Sequence, residues 1–192
     1  MRSPLTAAAA ALLLLMSAGC VPQEAAPPGH PNPIIVREFA VSLGVITLDP
    51  SFGFSLYRGA PGVPPRQRAA SVGRAAAFSV ADAITTQLAA LGYDAIRSDT
   101  DEAEPGGRAL IVSGSFSQIN EGRRRQNAHL GVDVEIAYQA APGAAPTRLT
   151  AFHYGAGART GGVNAAGGAI GRTIAGYASD LARANNWPAA PR

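Results

Sequence analysis

The sequence predicts an α/β (α+β) fold: one mixed, mainly antiparallel sheet with two helices packed on one face. Three observations predict it. Two segments space apolar residues four and three apart, as helices with one buried stripe do. Two later segments alternate apolar and polar residues and a third returns beside them, as strands of a meander with one covered face do. The elements follow one another as strand, helix, strand, three-strand meander, helix, and a single sheet covered by both helices buries every stripe.

Each element has its own signal. Ile34-Ile35-Val36 opens a β-rich stretch that runs through Phe39, Val41 and Leu43 towards Val45-Ile46 and reads as a first strand. Residues 49–68 are rich in Pro, Gly and Arg, with Phe52, Phe54 and Tyr57 scattered without a period. They read as a long loop, and a loop of that length is a candidate binding element. Over 71–91, Ala77, Ala81, Ile84, Leu88 and Leu91 form one helical stripe, and Gly92 stands where a left-handed C-terminal cap belongs. A short strand over 93–97 and an acidic loop over 99–104 follow.

In the segment 109–119, Leu110, Val112 and Phe116 lie on one side and Ser113, Ser115 and Ser117 on the other. Leu130, Val132, Val134, Ile136 and Tyr138 then alternate with Gly131, Asp133, Glu135, Ala137 and Gln139, until Pro142-Gly143 breaks the strand. Residues 148–154 return as the third strand of the meander. A glycine-rich turn over 155–162 leads into a last helix over 164–186, with Asn164 as its N-cap and Ile170, Ile174, Tyr177, Leu181 and Ala184 as its stripe. Trp187-Pro188 ends it.

Composition narrows the function classes. The 192 residues fit one domain, and 47% hydrophobic residues are enough for a packed core. The 16 basic residues are all Arg, scattered against 13 acidic ones for a net charge of +3. A nucleic-acid binder would carry its positive charge in blocks, so nucleic acid is excluded as a partner.

The first nineteen residues read as an export signal. Arg2 supplies the positive end, residues 5–16 are an apolar run too short to span a bilayer, and Ser17-Ala18-Gly19 places small residues before Cys20. Ser17-Ala18-Gly19-Cys20 resembles the bacterial lipobox, with Ser17 where Leu is usual. The resemblance implies alkylation of the Cys20 thiol by a diacylglyceryl group with palmitate-like chains, then cleavage before Cys20, and stable anchoring by two or three chains. Val21-Pro22 replaces the Asp that resembles an inner-membrane retention signal, which favours the outer membrane. Residues 20–33 hold five prolines and form a tether, extended by about 3.1 Å per residue to roughly 40 Å. Residues 34–192 are then a single periplasmic domain. Cys20 is the sole cysteine, so no disulfide forms.

Chemistry is sparse. No Gly-x-Ser-x-Gly elbow, no phosphate loop and no histidine pair at metal spacing is present, so no catalytic residue, metal or cofactor is expected. His129 and His153 lie in or beside meander strands, where two facing imidazoles could act as ligands or simply sit satisfied on the sheet. Gly167, Gly171 and Ala175 recur every four residues, and close packing on the sheet is the reading preferred over a tight helix pair. Arg123, Arg124 and Arg125 sit between two strands and form a candidate anion-binding turn, with Glu121 and the 99–104 loop as carboxylates able to neutralise it.

Ser71-Val72-Gly73-Arg74 at the first helix, Leu91-Gly92-Tyr93 at its end, and residues 112–122 followed by Arg124 or Arg125 resemble an uncharacterised family of proteobacterial envelope lipoproteins, known as a domain of unknown function. The similarity runs over about 39–187 and implies a compartment and a fold but no reaction. The element order is similar, as fold analogy only, to the small domains of curli-secretion and Tol-associated lipoproteins. The expectation is an outer-membrane-anchored lipoprotein, not an enzyme, held to the bilayer through acylated Cys20. Its periplasmic domain binds an envelope component: a protein, peptidoglycan or lipid A. A cell-wall enzyme using His129 or His153, and a subunit of an envelope secretion or assembly complex, are the alternatives. The oligomeric state is open.

Overall fold

The computed structural model describes residues 33–49, 63–98, 107–122, 127–187 and 189. The signal segment, Cys20, the tether, residues 50–62, the acidic loop and Arg123, Arg124 and Arg125 lie outside them.

One mixed sheet and two helices make up the architecture. Its strands are β1 (Ile34–Arg37), β2 (Ile46–Thr47), β3 (Ala95–Ser98), β4 (Ala109–Asn120), β5 (Ala128–Gln139) and β6 (Thr147–Ala158). The order across the sheet is β3-β1-β4-β5-β6, with β2 pairing β4 further along the same side as β1. β1 and β2 run parallel to their neighbours, while β4, β5 and β6 form the expected antiparallel meander. The helices, α1 (Pro65–Ala90) and α2 (Gly162–Ala184), share one core with the inward rows of the strands.

The first strand is broken in two, which its apolar run did not indicate. After Arg37 the chain changes parity so that Phe39 turns into the core and packs edge-to-face on Phe116, with ring centroids 6.2 Å apart. A side chain at Gly114 would meet the Phe39 ring at 2.6 Å and the Asp133 carbonyl oxygen at 2.4 Å, so the ring is seated only because that position is glycine. Ala40 bridges Ser115, and a 3-10 turn at Leu43–Val45 leads into β2.

α1 begins at Pro65, before the apolar stripe does, so the end of the expected 49–68 loop is the helix's first turn. Proline suits that position because its φ is already helical and its missing N–H would find no intrahelical partner there. Ahead of Ala77, where the expected stripe starts, the early turns also bury Ala69, Gly73 and Ala76, residues too small to mark a stripe. Ile84 and Leu88 are fully buried as expected, whereas Leu91 is outside the helix and exposed.

Both helices end in the same backbone motif. Gly92 has φ 91°, its N–H reaches the Ala89 carbonyl and the Tyr93 N–H reaches that of Leu88. At α2, Asn186 takes the left-handed position with φ 56°, and the Trp187 N–H bonds the Ala182 carbonyl at 2.8 Å. That geometry drops Trp187 into the core, stacked on Tyr138 at 5.7 Å. The start of α2 differs from expectation: Gly161, with φ 79°, precedes it, and Asn164 lies within the first turn instead of capping it. Its buried stripe runs through Ile170, Ile174, Ala178 and Ala182, leaving Tyr177 half exposed.

The glycine spacing of α2 serves a helix pair, correcting the expectation that it packs on the sheet. A Cβ on Gly167 would overlap the Ser79 hydroxyl at 2.0 Å, and one on Gly171 would come within 2.6 Å of Ala83 Cβ and 2.7 Å of the Val80 carbonyl oxygen. The two helices therefore approach almost backbone to backbone. No helix among the described residues is long and apolar enough to cross a membrane.

Candidate functional site

Because both helices lie on one side, the other face of the meander has no element packed on it among the described residues. The register defines its rows. Ile96, Ile35, Ile111 and Ala137 form an apolar row at one end. Beyond it stand Ser113 and Glu135, then Ser115, Asp133 and His153. The far end carries Gly131 opposite Gly155 and His129 opposite Gly157.

A groove of about 510 Å³ occupies the middle, lined by Arg37, Glu38, Ser113, Ser115, Asp133, Glu135 and Arg148. Arg148 Nη2 lies 2.8 Å from Glu135 Oε2, and His153 Nδ1 lies 3.0 Å from Asp133 Oδ1. Three carboxylates face two guanidiniums, so the groove has no cationic excess to hold an anion. It offers hydroxyls, carboxylates and guanidiniums in mixed order, a set suited to an uncharged, hydroxyl- or amide-rich surface. A second groove of about 430 Å³, between β1 and α1, shares Arg37, Glu38 and Ala40 with the first and adds an apolar floor at Phe39, Val41 and Ala77.

The glycine end has a distinct shape. A register shift between Phe116 and Gln118 turns both Ser117 and Gln118 to solvent. The Ser117 hydroxyl and His153 Cε1 then stand 2.8 and 3.5 Å from the point where a Cβ would sit on Gly131. The His129 ring lies over Gly155, with Cε1 3.3 Å from the corresponding point there. The two histidines thus lean over one facing glycine pair, and Asp133 holds Nδ1 of His153 so that Nε2 points away from it. Among the described residues no three His, Cys, Asp or Glu side chains gather as a metal site.

The structure also changes what Glu121 offers to Arg123, Arg124 and Arg125, which themselves lie outside the described residues. Glu121, expected as a neutraliser of Arg123, Arg124 and Arg125, is occupied elsewhere: it accepts a hydrogen bond from Arg68 and, at 3.0 Å, one from the Asp49 N–H. Arg68 also donates to the Asp49 carbonyl at 3.0 Å, tying α1 to the end of β4. Gly122, with φ 80°, donates its N–H to Asn120 Oδ1, and the chain leaves the described residues there.

Alternation alone placed Ser113, Ser115, Asp133 and Glu135 on one wet face. Arg37 and Glu38 join them only because β1 lies next to β4, a non-local pairing with no mark in the sequence. Arg148 joins through the irregularity that skips Leu149 between its pairing with Ala137 and that of Thr150 with Ile136.

No family model matches the chain, and no curated protein does. Among solved structures it is similar to a DUF330-family protein from Xanthomonas campestris, at 11% identity over 84% of this chain and 92% of that one, with a TM-score of 0.48. It is also similar to the PelC dodecamer from Paraburkholderia phytofirmans, at 12% identity over 76% of this chain and 87% of that one, with a TM-score of 0.42. At these identities and TM-scores, neither likeness carries an activity or an assembly over to this chain.

Proposed function

We propose that the protein is an outer-membrane-anchored lipoprotein, held by acylated Cys20, whose periplasmic α+β domain binds an envelope protein or glycan without catalysis. The observation that carries this reading is the helix-free face of the meander. One side of the sheet is spent on the core, and the other presents a polar groove of mixed charge on a rigid strand platform. Arg123, Arg124 and Arg125 are proposed as a separate anion contact at the end of the β4–β5 hairpin, for peptidoglycan carboxylates or lipid A phosphates. With Glu121 committed to Arg68, that carboxylate is not available to cancel them.

Photo-crosslinking residues placed in living cells test the reading at Ser115 and Ala151 on the helix-free face, with Asp82 on α1 as control. Capture from the first two and not from Asp82 is expected, together with loss of membrane retention and of fatty-acid label in Cys20→Ala. Gln at Arg123, Arg124 and Arg125 should lower retention on sacculi at low salt, since exposed charges act over only about 10 Å at 0.1 M. Equal capture from both faces would overturn the assigned surface.

One observation favours the cell-wall enzyme as a second reading. Asp133 orients His153 while Ser117 stands across the gap over Gly131, the order of nucleophile, base and carboxylate used in acyl transfer. A hydrolase panel with Ser117→Ala separates the two, because only the enzyme loses turnover.

A further inference from the structure

We propose that β6 is an assembly edge on which a second copy of this chain pairs, antiparallel and about a two-fold axis, so that one sheet runs through both subunits. This goes beyond the binding reading above, since it concerns the backbone edge of β6 and not the groove that Arg148 and Ala151 of the same strand help to line.

β6 ends the sheet. It pairs β5 on one side, and among the described residues nothing pairs its other side. An unpaired strand edge is a row of free N–H and C=O groups, and monomeric proteins blunt such edges with short strands, prolines or charges. The opposite edge follows that rule, since β3 spans only 4 residues. β6 spans 12, and from 150 to 158 it pairs β5 without interruption. That run contains no Pro, Lys, Arg, Asp or Glu. Its flanking charges lie outside it, Arg148 beyond the irregularity at Leu149 and Arg159 just past Ala158.

An aromatic patch accompanies the edge on the helix side. Tyr177 of α2 is 52% exposed, and its ring lies 4.8 Å from that of Phe152 in β6. A tyrosine left half in water beside bare backbone is where a partner strand gains apolar area as well as hydrogen bonds.

A second copy fits this edge better than a foreign strand. Self-pairing satisfies two bare edges at once, whereas a foreign peptide satisfies one. A two-fold axis normal to the sheet keeps both helix layers on the same side, which brings the two Phe152–Tyr177 pairs to the seam.

The test follows mass by light scattering and amide exchange by mass spectrometry on the full chain in mild detergent, from low to high micromolar concentration. The expected result is a dimer whose amides in 150–158 exchange more slowly as concentration rises, while those of β3 do not change. Ala151→Lys combined with Tyr177→Lys, both at exposed positions, should raise the dissociation constant at least about tenfold. A monomer at every concentration overturns the proposal, as does an assembly that leaves 150–158 unprotected. Protection that arises only when envelope extract is added assigns the edge to a foreign strand and overturns self-pairing. Should the double variant misfold, the concentration dependence of exchange in the parent chain decides by itself.

Discussion

The two faces of this sheet are built from the same strands, residue by alternate residue, yet they answer to opposite requirements. On the helix side every inward position of β4 and β5 is apolar or glycine, and the layer above is packed so closely that Gly167 and Gly171 leave no room for a methyl group. On the other side, ion pairs and imidazoles stand in solvent with nothing above them among the described residues. The helix side sets stability and leaves no room at Gly167 and Gly171; the other, beyond its buried row of Ile35, Ile111 and Ala137, is free to vary and is therefore where recognition can be written. Substitutions ranked by expected cost can sharpen or break that contrast.

The largest effect is expected at Ile84, whose side chain is fully buried in the core and whose backbone nitrogen lies beside Gly171 of α2. Ile84→Asp removes the apolar contact and leaves a carboxylate with no partner, a change of several kcal/mol against a total stability of about 5–15 kcal/mol. Loss of the cooperative thermal transition in circular dichroism is the expected outcome. A variant that melts like the parent would mean the helix layer is not the core.

Within α2, two glycines a turn or so apart should respond with opposite sign. Gly171→Val forces a side chain into the Ala83 and Val80 backbone contact, and overpacking of that kind costs about 1–3 kcal/mol. Gly176 has nothing within 4 Å of its missing Cβ, so Gly176→Ala should raise stability by up to about 1 kcal/mol through helix propensity and a stiffer unfolded chain. Denaturant midpoints moving the same way for both would refute a glycine-mediated helix contact.

Much of this contrast could be read in the sequence, for a physical reason. Alternation in β4 and β5 is local information, so Leu110, Val112, Val132, Val134 and Ile136 fell inside and Asp133 and Glu135 outside as expected. Gly92 signalled its left-handed cap because few other residues adopt that φ cheaply. What escaped was set by distant neighbours or by residues without a pattern. The break after Arg37 depends on Gly114 accepting the Phe39 ring, and the first turns of α1 bury alanines that give no hydrophobic stripe. Tyr177 looked like stripe and is half exposed, because the beginning of α2 at Gly162 and its contact with α1 fix which face turns inward. The site shows the same division: its β4 and β5 residues followed from alternation, while Arg37 and Glu38 required knowing that β1 lies beside β4.

The smallest stability effect is expected on the helix-free face, at the Arg148–Glu135 pair. The two side chains keep 64% and 40% of their surface in solvent, and an ion pair this exposed contributes about 0–1 kcal/mol because water already solvates both charges and holding two long side chains costs entropy. Replacing both by Gln leaves no charge uncompensated and removes no packed apolar group. The melting midpoint should therefore stay within the shift expected of about 0.5 kcal/mol. The same change strips one guanidinium and one carboxylate from the groove wall, so crosslinking from Ala151, directly opposite Glu135 in the register, should fall sharply. That pairing of outcomes is what divides a recognition surface from a merely solvated one. If capture from Ala151 is unchanged while stability is also unchanged, the groove plays no part in binding, and Arg123, Arg124 and Arg125, between β4 and β5 in the sequence, become the residues to map.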